Sequence, residues 1–124
     1  VLTREQVLRV QALVRAVPVA EHVLRYAVQL VRATRPEDPA CPSALRPLLA
    51  YGASPRASQC LILAAKARAV LGGRATVSLD DVRALAPATV AHRVVPSFRA
   101  EAEGMDGRKV VERLIAEVPG SVAA

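Results

Sequence analysis

Ser54, Pro55 and Arg56 are the residues of this chain whose types and spacing best suit contact with an anion. A serine just ahead of a helix offers a capping oxygen, and a proline at the first helical position gives up an N–H that the helix cannot use. An arginine follows at the second position. The free backbone N–H groups of a helix start favour negative charge, and a guanidinium beside them can fork onto phosphate oxygens. Helix stability does not account for a cation there, because the positive end of the helix dipole slightly disfavours it. Two readings follow: Arg56 meets a phosphate, or it projects into water or onto a neighbouring acid.

Other groups with chemical potential lack the company that catalysis needs. The sequence contains no GxxxxGK[ST] phosphate loop, no GxSxG, no HExxH and no apolar strand ending in paired acids. His22 and His92 lie far apart without metal-ligand spacing, which points to solvent-facing or capping roles and to no metal site. Asp80 and Asp81 follow Ser78 and fall in the first turn of a helix, where the dipole favours them. Glu101 and Glu103 read as a solvated loop face. Cys41 and Cys60 show no CxxC spacing and are expected as free thiols in a reducing compartment. With no signal-peptide pattern and no apolar run of bilayer length, the expected location is cytoplasmic, without membrane insertion.

Several helices must position these residues. Of the 124 residues 52% are apolar but only 2% aromatic, namely Tyr26, Tyr51 and Phe98, so the core has to be made of Ala, Val and Leu. Small side chains suit close helix packing. Thr3 and Gln6 have capping-box spacing ahead of an apolar stripe, Val7, Val10, Leu13, Val14 and Val17, giving a first helix over 3–16. A second helix spans 20–35 with Val23, Leu24, Ala27, Leu30 and Val31 inward. The Pro-rich segment 36–47 is a connecting loop, with room for one helical turn at 44–49. A third helix runs from Ser54-Pro55 to Gly72-Gly73, with Ala57, Leu61, Ala64, Ala65 and Leu71 on its apolar face. Ser78 and Asp81 cap a fourth over 79–91, and a fifth covers 106–118 through Val110, Val111, Leu114 and Ile115. The expected fold is all-α, a compact bundle of about five helices, with residues 75–77 available for one very short β pairing against 93–95. Residues 1–118 form the domain and 119–124 a flexible tail. The absence of a Met at position 1 suggests a fragment of a longer chain.

The run Gly52-Ala53-Ser54-Pro55-Arg56-Ala57 resembles the C-terminal lid subdomain of MoxR-type AAA+ ATPases. So do Ala64-Ala65-Lys66-Ala67, Gly73-Arg74, Val77 with Asp80-Asp81-Val82, and His92-Arg93-Val94, together with the upstream segment from Tyr26 through Ala33-Thr34-Arg35. The resemblance covers about 1–118, although the 36–51 connection is longer and richer in proline than it leads one to expect. It implies that Arg56 is a sensor-two-like residue, with Ser54 and Pro55 as its companions in cofactor binding. It further implies ATP and Mg2+ in a full-length parent, a ring-shaped homo-oligomer doing chaperone-like remodelling, and the ATPase core of the same chain as partner. This stretch lacks the phosphate-loop core, so it is expected neither to hydrolyse ATP nor to bind a cofactor alone.

The net charge of +6, with 15 of 17 basic residues arginine, supports one rival, a basic helical DNA-binding module. Scattered basic residues weigh against it and against nucleic acid as a partner. A second rival is a structural interaction domain with one apolar stripe kept for a partner.

Overall fold

The computed structural model describes residues 1–120. Six α-helices and one pair of short strands make up the fold. They are α1 (Arg4–Ala16), α2 (Glu21–Arg32), β1 (Leu49–Tyr51), α3 (Arg56–Leu71), α4 (Leu79–Val90), β2 (Val95–Pro96), α5 (Phe98–Ala102) and α6 (Gly107–Glu117). The last four residues of the expected tail lie outside the described residues.

The local signals for helix starts take physical form. Thr3 and Gln6 close a reciprocal capping box on α1, and Ser78 and Asp81 close another on α4. Asp106 caps α6 by accepting from the Lys109 N–H. The expected helical turn at 44–49 is a 3₁₀ turn, Arg46–Leu48. Between α3 and α4, Gly73 takes a positive φ of 67° that a side chain would resist.

Central in the bundle, α3 packs on α4, α2 and α1, while α4 also carries α6. Its buried residues are Ala57, Leu61, Ala65 and Ala69, a row of small side chains with one leucine that lets neighbouring helices approach closely. Facing it are Val23, Tyr26, Ala27, Leu30 and Val31 of α2 and Val82, Ala86 and Val90 of α4. Tyr26, the one buried aromatic side chain, is completely enclosed, and its hydroxyl accepts from Arg83 Nε at 3.4 Å. The expected inward Leu24 and Leu71 are exposed instead.

Three expectations need correcting. Residues 75–77 do not pair with 93–95. They precede α4 and 93–95 follow it, and twelve helical residues hold the two segments about 18 Å apart. The short ladder joins β1 to β2 in antiparallel fashion, Leu49 opposite Pro96 and Tyr51 opposite Val95, with an irregularity between them. Ser97 extends the attachment, its N–H donating to Leu48 O at 2.9 Å and its hydroxyl to Pro47 O at 2.6 Å.

Second, part of the supposedly irregular segment 92–104 is helix. Ser97 caps α5 by accepting from Ala100 N–H, and Gly104, at φ 72°, ends the turn so that Met105 N–H reaches Ala100 O. Five residues are too few for periodicity to reveal.

Third, α1 carries its apolar stripe as expected, but none of its residues is buried. Val7, Val10 and Leu13 face outward, and only Val17, just past the helix, enters the core.

Candidate functional site

Arg56 begins α3 and is exposed. None of the ion pairs among the described residues includes it. Ser54 and Pro55 are exposed beside it.

The helix start differs in detail from the expected one. Pro55 occupies the capping position in helical conformation, φ −56° and ψ −27°, and no side chain caps α3. The ring restricts φ to a helical value, so the first turn closes on carbonyls. Ala57 N–H donates to Ser54 O at 2.9 Å and Ser58 N–H to Pro55 O at 3.1 Å, while the Ser58 hydroxyl also turns back to Pro55 O. Ser54 therefore contributes its carbonyl, and its hydroxyl is left facing solvent.

What holds the turn from behind is the segment that directly follows α2. Thr34 is buried, and its hydroxyl donates to Val31 O at 2.6 Å while accepting from Ala53 N–H at 2.9 Å. Arg35 Nε donates to Ala53 O at 2.9 Å. Both polar groups of residue 53 are thus held by consecutive residues of one segment. Gly52 makes this approach possible, since a Cβ there would come within 2.6 Å of the Thr34 carbonyl and of Arg35 Cγ. The Ala53 side chain points into the core at 1% exposure. On its other side, β1 leads straight into Gly52 and is tied to β2.

The residues singled out by sequence divide between the two ends of α3, a helix of 16 residues and so about 24 Å long. The Arg56 end gathers Gly52 through Pro55 with Thr34 and Arg35. One turn further along α3, Arg93 donates to Cys60 Sγ at 3.5 Å and to Thr89 O at 3.1 Å. The far end holds Asp80, Asp81, Gly73 and Arg74. Asp80 and Asp81 both lie in the first turn of α4, as expected, but beyond that they do different work. Asp80 pairs at the surface with Arg83. Asp81 has no exposed side-chain surface and receives Arg68 Nη1 at 2.5 Å, two contacts from Arg74 at 2.6 Å, and the N–H and hydroxyl of Ser78. These donors, Arg74 foremost, hold its carboxyl well below the usual carboxylate range. This knot joins α3 to α4 far from Arg56 and belongs to the scaffold.

His22 and His92 are exposed. Cys41 is buried, which raises its thiol pKa, Cys60 is half-buried, and both are free. Among the described residues no three His, Cys, Asp or Glu side chains come together as a metal site, and no helix is long and apolar enough to cross a membrane. An open groove of about 550 Å3 between the end of α1, α2 and α3 is lined by Leu24, Val28, Ile62 and Leu63 with Arg15 and Lys66. It does not include Arg56.

Sequence reasoning found Arg56 but gave no physical role to Thr34 and Arg35. A threonine and an arginine closing an apolar helix were visible, yet nothing in their spacing says that they reach a backbone 18 or 19 residues away.

Both the sequence and the fold have counterparts among known proteins. The family model for the AAA lid domain matches residues 42–114. Over 118 residues the chain is 31% identical to Chaperone MoxR1 of Mycobacterium tuberculosis, covering 95% of this chain and 31% of that one. It is also 31% identical over 118 residues to the uncharacterized protein YeaC of Bacillus subtilis, covering 95% of this chain and 34% of the relative. The crystal structure of a "putative ATPase" from Cytophaga hutchinsonii superposes with a TM-score of 0.85 at 31% identity, covering 93% of this chain and 35% of that one. The chain thus spans about a third of the length of the relatives it matches. With the matched region running from the loop before β1 through α6, the chain belongs to the AAA lid domain family, as a lid of the MoxR type of AAA+ ATPase.

Proposed function

We propose that this chain is the moving lid of a longer ATPase and that Arg56 is its contact with the nucleotide. The observation that carries this reading is an exposed arginine, without an ion pair among the described residues, at the start of a central helix, on a turn fastened from behind. An arginine with no partner of its own keeps its donors for something outside the domain. Its fork suits a phosphate, and the neighbouring helix start adds favourable potential.

On this reading the residues here supply half a site. ATP bound to the core of the same polypeptide brings the γ-phosphate, and Mg2+ is held on that core. Arg56 donates N–H groups to the phosphate oxygens and favours the charge that develops on them during hydrolysis. Ser54 and Pro55 shape the turn that aims it. When the terminal phosphate leaves, the contact is lost and the lid is free to shift. Assembly of the parent into a ring and chaperone-like remodelling of protein partners belong to the same proposal, supported by the likeness to Chaperone MoxR1.

The test is Arg56→Ala in the full-length ATPase, with the circular dichroism and thermal midpoint of the 124-residue chain as the control for folding. Turnover is expected to fall at least about tenfold with the midpoint little changed, because the side chain is exposed and makes no ion pair among the described residues. Unchanged turnover would remove Arg56 from the site.

A further inference from the structure

We propose that Thr34 and Arg35 are positioning residues for Arg56, linking the aim of that arginine to α2 through the peptide groups of Ala53. This deepens the phosphate reading of Arg56 and rests on it.

The geometry makes the turn's orientation depend on α2. A helix start is ordinarily fixed in part by its own side-chain cap, but α3 has none, and the carbonyl bonds of its first turn do not tie it to the rest of the domain. The restraint comes from outside. Thr34 accepts from Ala53 N–H while Arg35 donates to Ala53 O, and two bonds on opposite sides of one residue fix its rotation as well as its distance. Thr34 is itself held, because its single proton is committed to Val31 O, which leaves its lone pairs to face Ala53. The link is short and stiff: Gly52 lies against the Thr34 carbonyl with no space for a methyl group between them. From Ala53 to Arg56 only Ser54 and Pro55 intervene, and the proline ring removes one of the soft backbone angles.

The link also connects Arg56 to the body of the lid. Through Val23, Tyr26, Ala27, Leu30 and Val31, α2 is anchored in the core. A force on Arg56 therefore passes through Ala53 into α2, and not only along α3. Arg35 keeps its terminal guanidinium nitrogens outside the Nε bond to Ala53, yet its role here is mechanical.

A double-mutant cycle in the full-length ATPase tests this. Thr34→Val keeps the shape and removes the acceptor, Arg35→Met keeps the stem and removes the donor, and Thr34→Ser restores the hydroxyl. Thr34→Val is expected to lower kcat by about tenfold or more through misplacement of the arginine, with Thr34→Ser close to wild type. In an Arg56→Ala background the same Thr34→Val change should cost less than about twofold, because residues acting through one group are non-additive. Equal losses in both backgrounds would make Thr34 a merely structural residue and overturn the proposal, as would a Thr34→Val enzyme with normal turnover when Arg56→Ala is impaired. Normal turnover in Arg56→Ala would overturn the phosphate reading and this inference with it. In the 124-residue chain, amide exchange at Ala53 is expected to speed up at least about tenfold in Thr34→Val, while α6 amides keep their rates. Exchange at Ala53 unchanged by Thr34→Val would show that the bond does not restrain the turn and would overturn the proposal independently of ATP. Should Thr34→Val fold poorly, Arg35→Met provides the same cycle from the exposed side.

Discussion

At the scale of single residues, Gly52 and Asp81 are two positions where the structure demands one chemistry. A Cβ at 52 would meet backbone, the Thr34 carbonyl at 2.6 Å, and backbone cannot swing aside as a side-chain tip can. Gly52→Ala is expected to destabilise the chain by about 1–3 kcal/mol through overpacking, measured by urea denaturation. An alanine variant as stable as wild type would show that the turn and α2 can separate freely. Asp81 is charged, fully buried and held by two arginines that remain partly in water. Asp81→Asn keeps the shape but loses the charge, and is expected to cost on the order of 2–3 kcal/mol at pH 7, below the ~3–5 kcal/mol seen where both partners are enclosed. The folded carboxyl titrates below its unfolded value, so its contribution is complete above the unfolded range near ~4 and fades as pH falls below that toward the folded value. Wild type and Asp81→Asn should therefore differ by a constant amount above about pH 5 and converge in acid. A gap that stays the same down to pH 2.5 would contradict this. The sequence showed Asp81 as a cap; that it also gathers Arg68 and Arg74 depends on how α3 and α4 cross.

Between elements the contrast is sharpest for α1 and α3, two helices that both carry apolar residues but differ in burial. Lys66 Nζ of α3 donates to Arg15 O at the end of α1, and α1 has no buried residue of its own. Leu61 of α3 is wholly enclosed, whereas Leu13 of α1 is 57% exposed. Leu61→Ala should cost about 2–5 kcal/mol and Leu13→Ala no more than about 0.5 kcal/mol, by denaturation midpoints. Similar costs would mean that α1 is seated more firmly than its exposure suggests. The helices themselves were legible because caps and apolar periodicity act within a few residues: Thr3 with Gln6, Ser78 with Asp81, and the Gly72-Gly73 stop all took effect. The strands were not. Val94-Val95 has the character of a strand end, but its partner lies far back in the sequence, in the segment before Gly52, and a two-residue ladder leaves no alternating pattern to read.

Taken as a whole, the molecule ties up about half of its arginines in ion pairs among the described residues. Eight of the fifteen arginines, Arg25, Arg32, Arg68, Arg74, Arg83, Arg99, Arg108 and Arg113, pair with acidic side chains. Duplex DNA should accordingly bind only weakly, with a shallow dependence of log affinity on log salt, as read by fluorescence anisotropy between 50 and 200 mM salt, about the range over which phosphate-contacting proteins lose most affinity. A steep slope with tight binding at low salt would revive the nucleic-acid reading. Sequence alone determined the helical class, most helix ends and the free thiols, and it singled out Arg56 as a candidate, because each depends on chemistry within one or two turns of chain. The six-helix count, the β1–β2 pairing and the outward face of α1 were decided by tertiary packing, which settles which apolar surfaces find partners. So was the fastening of Ala53 by Thr34 and Arg35. Those bonds join segments nearly twenty residues apart, and only the placement of α2 beside the start of α3 brings their atoms within reach.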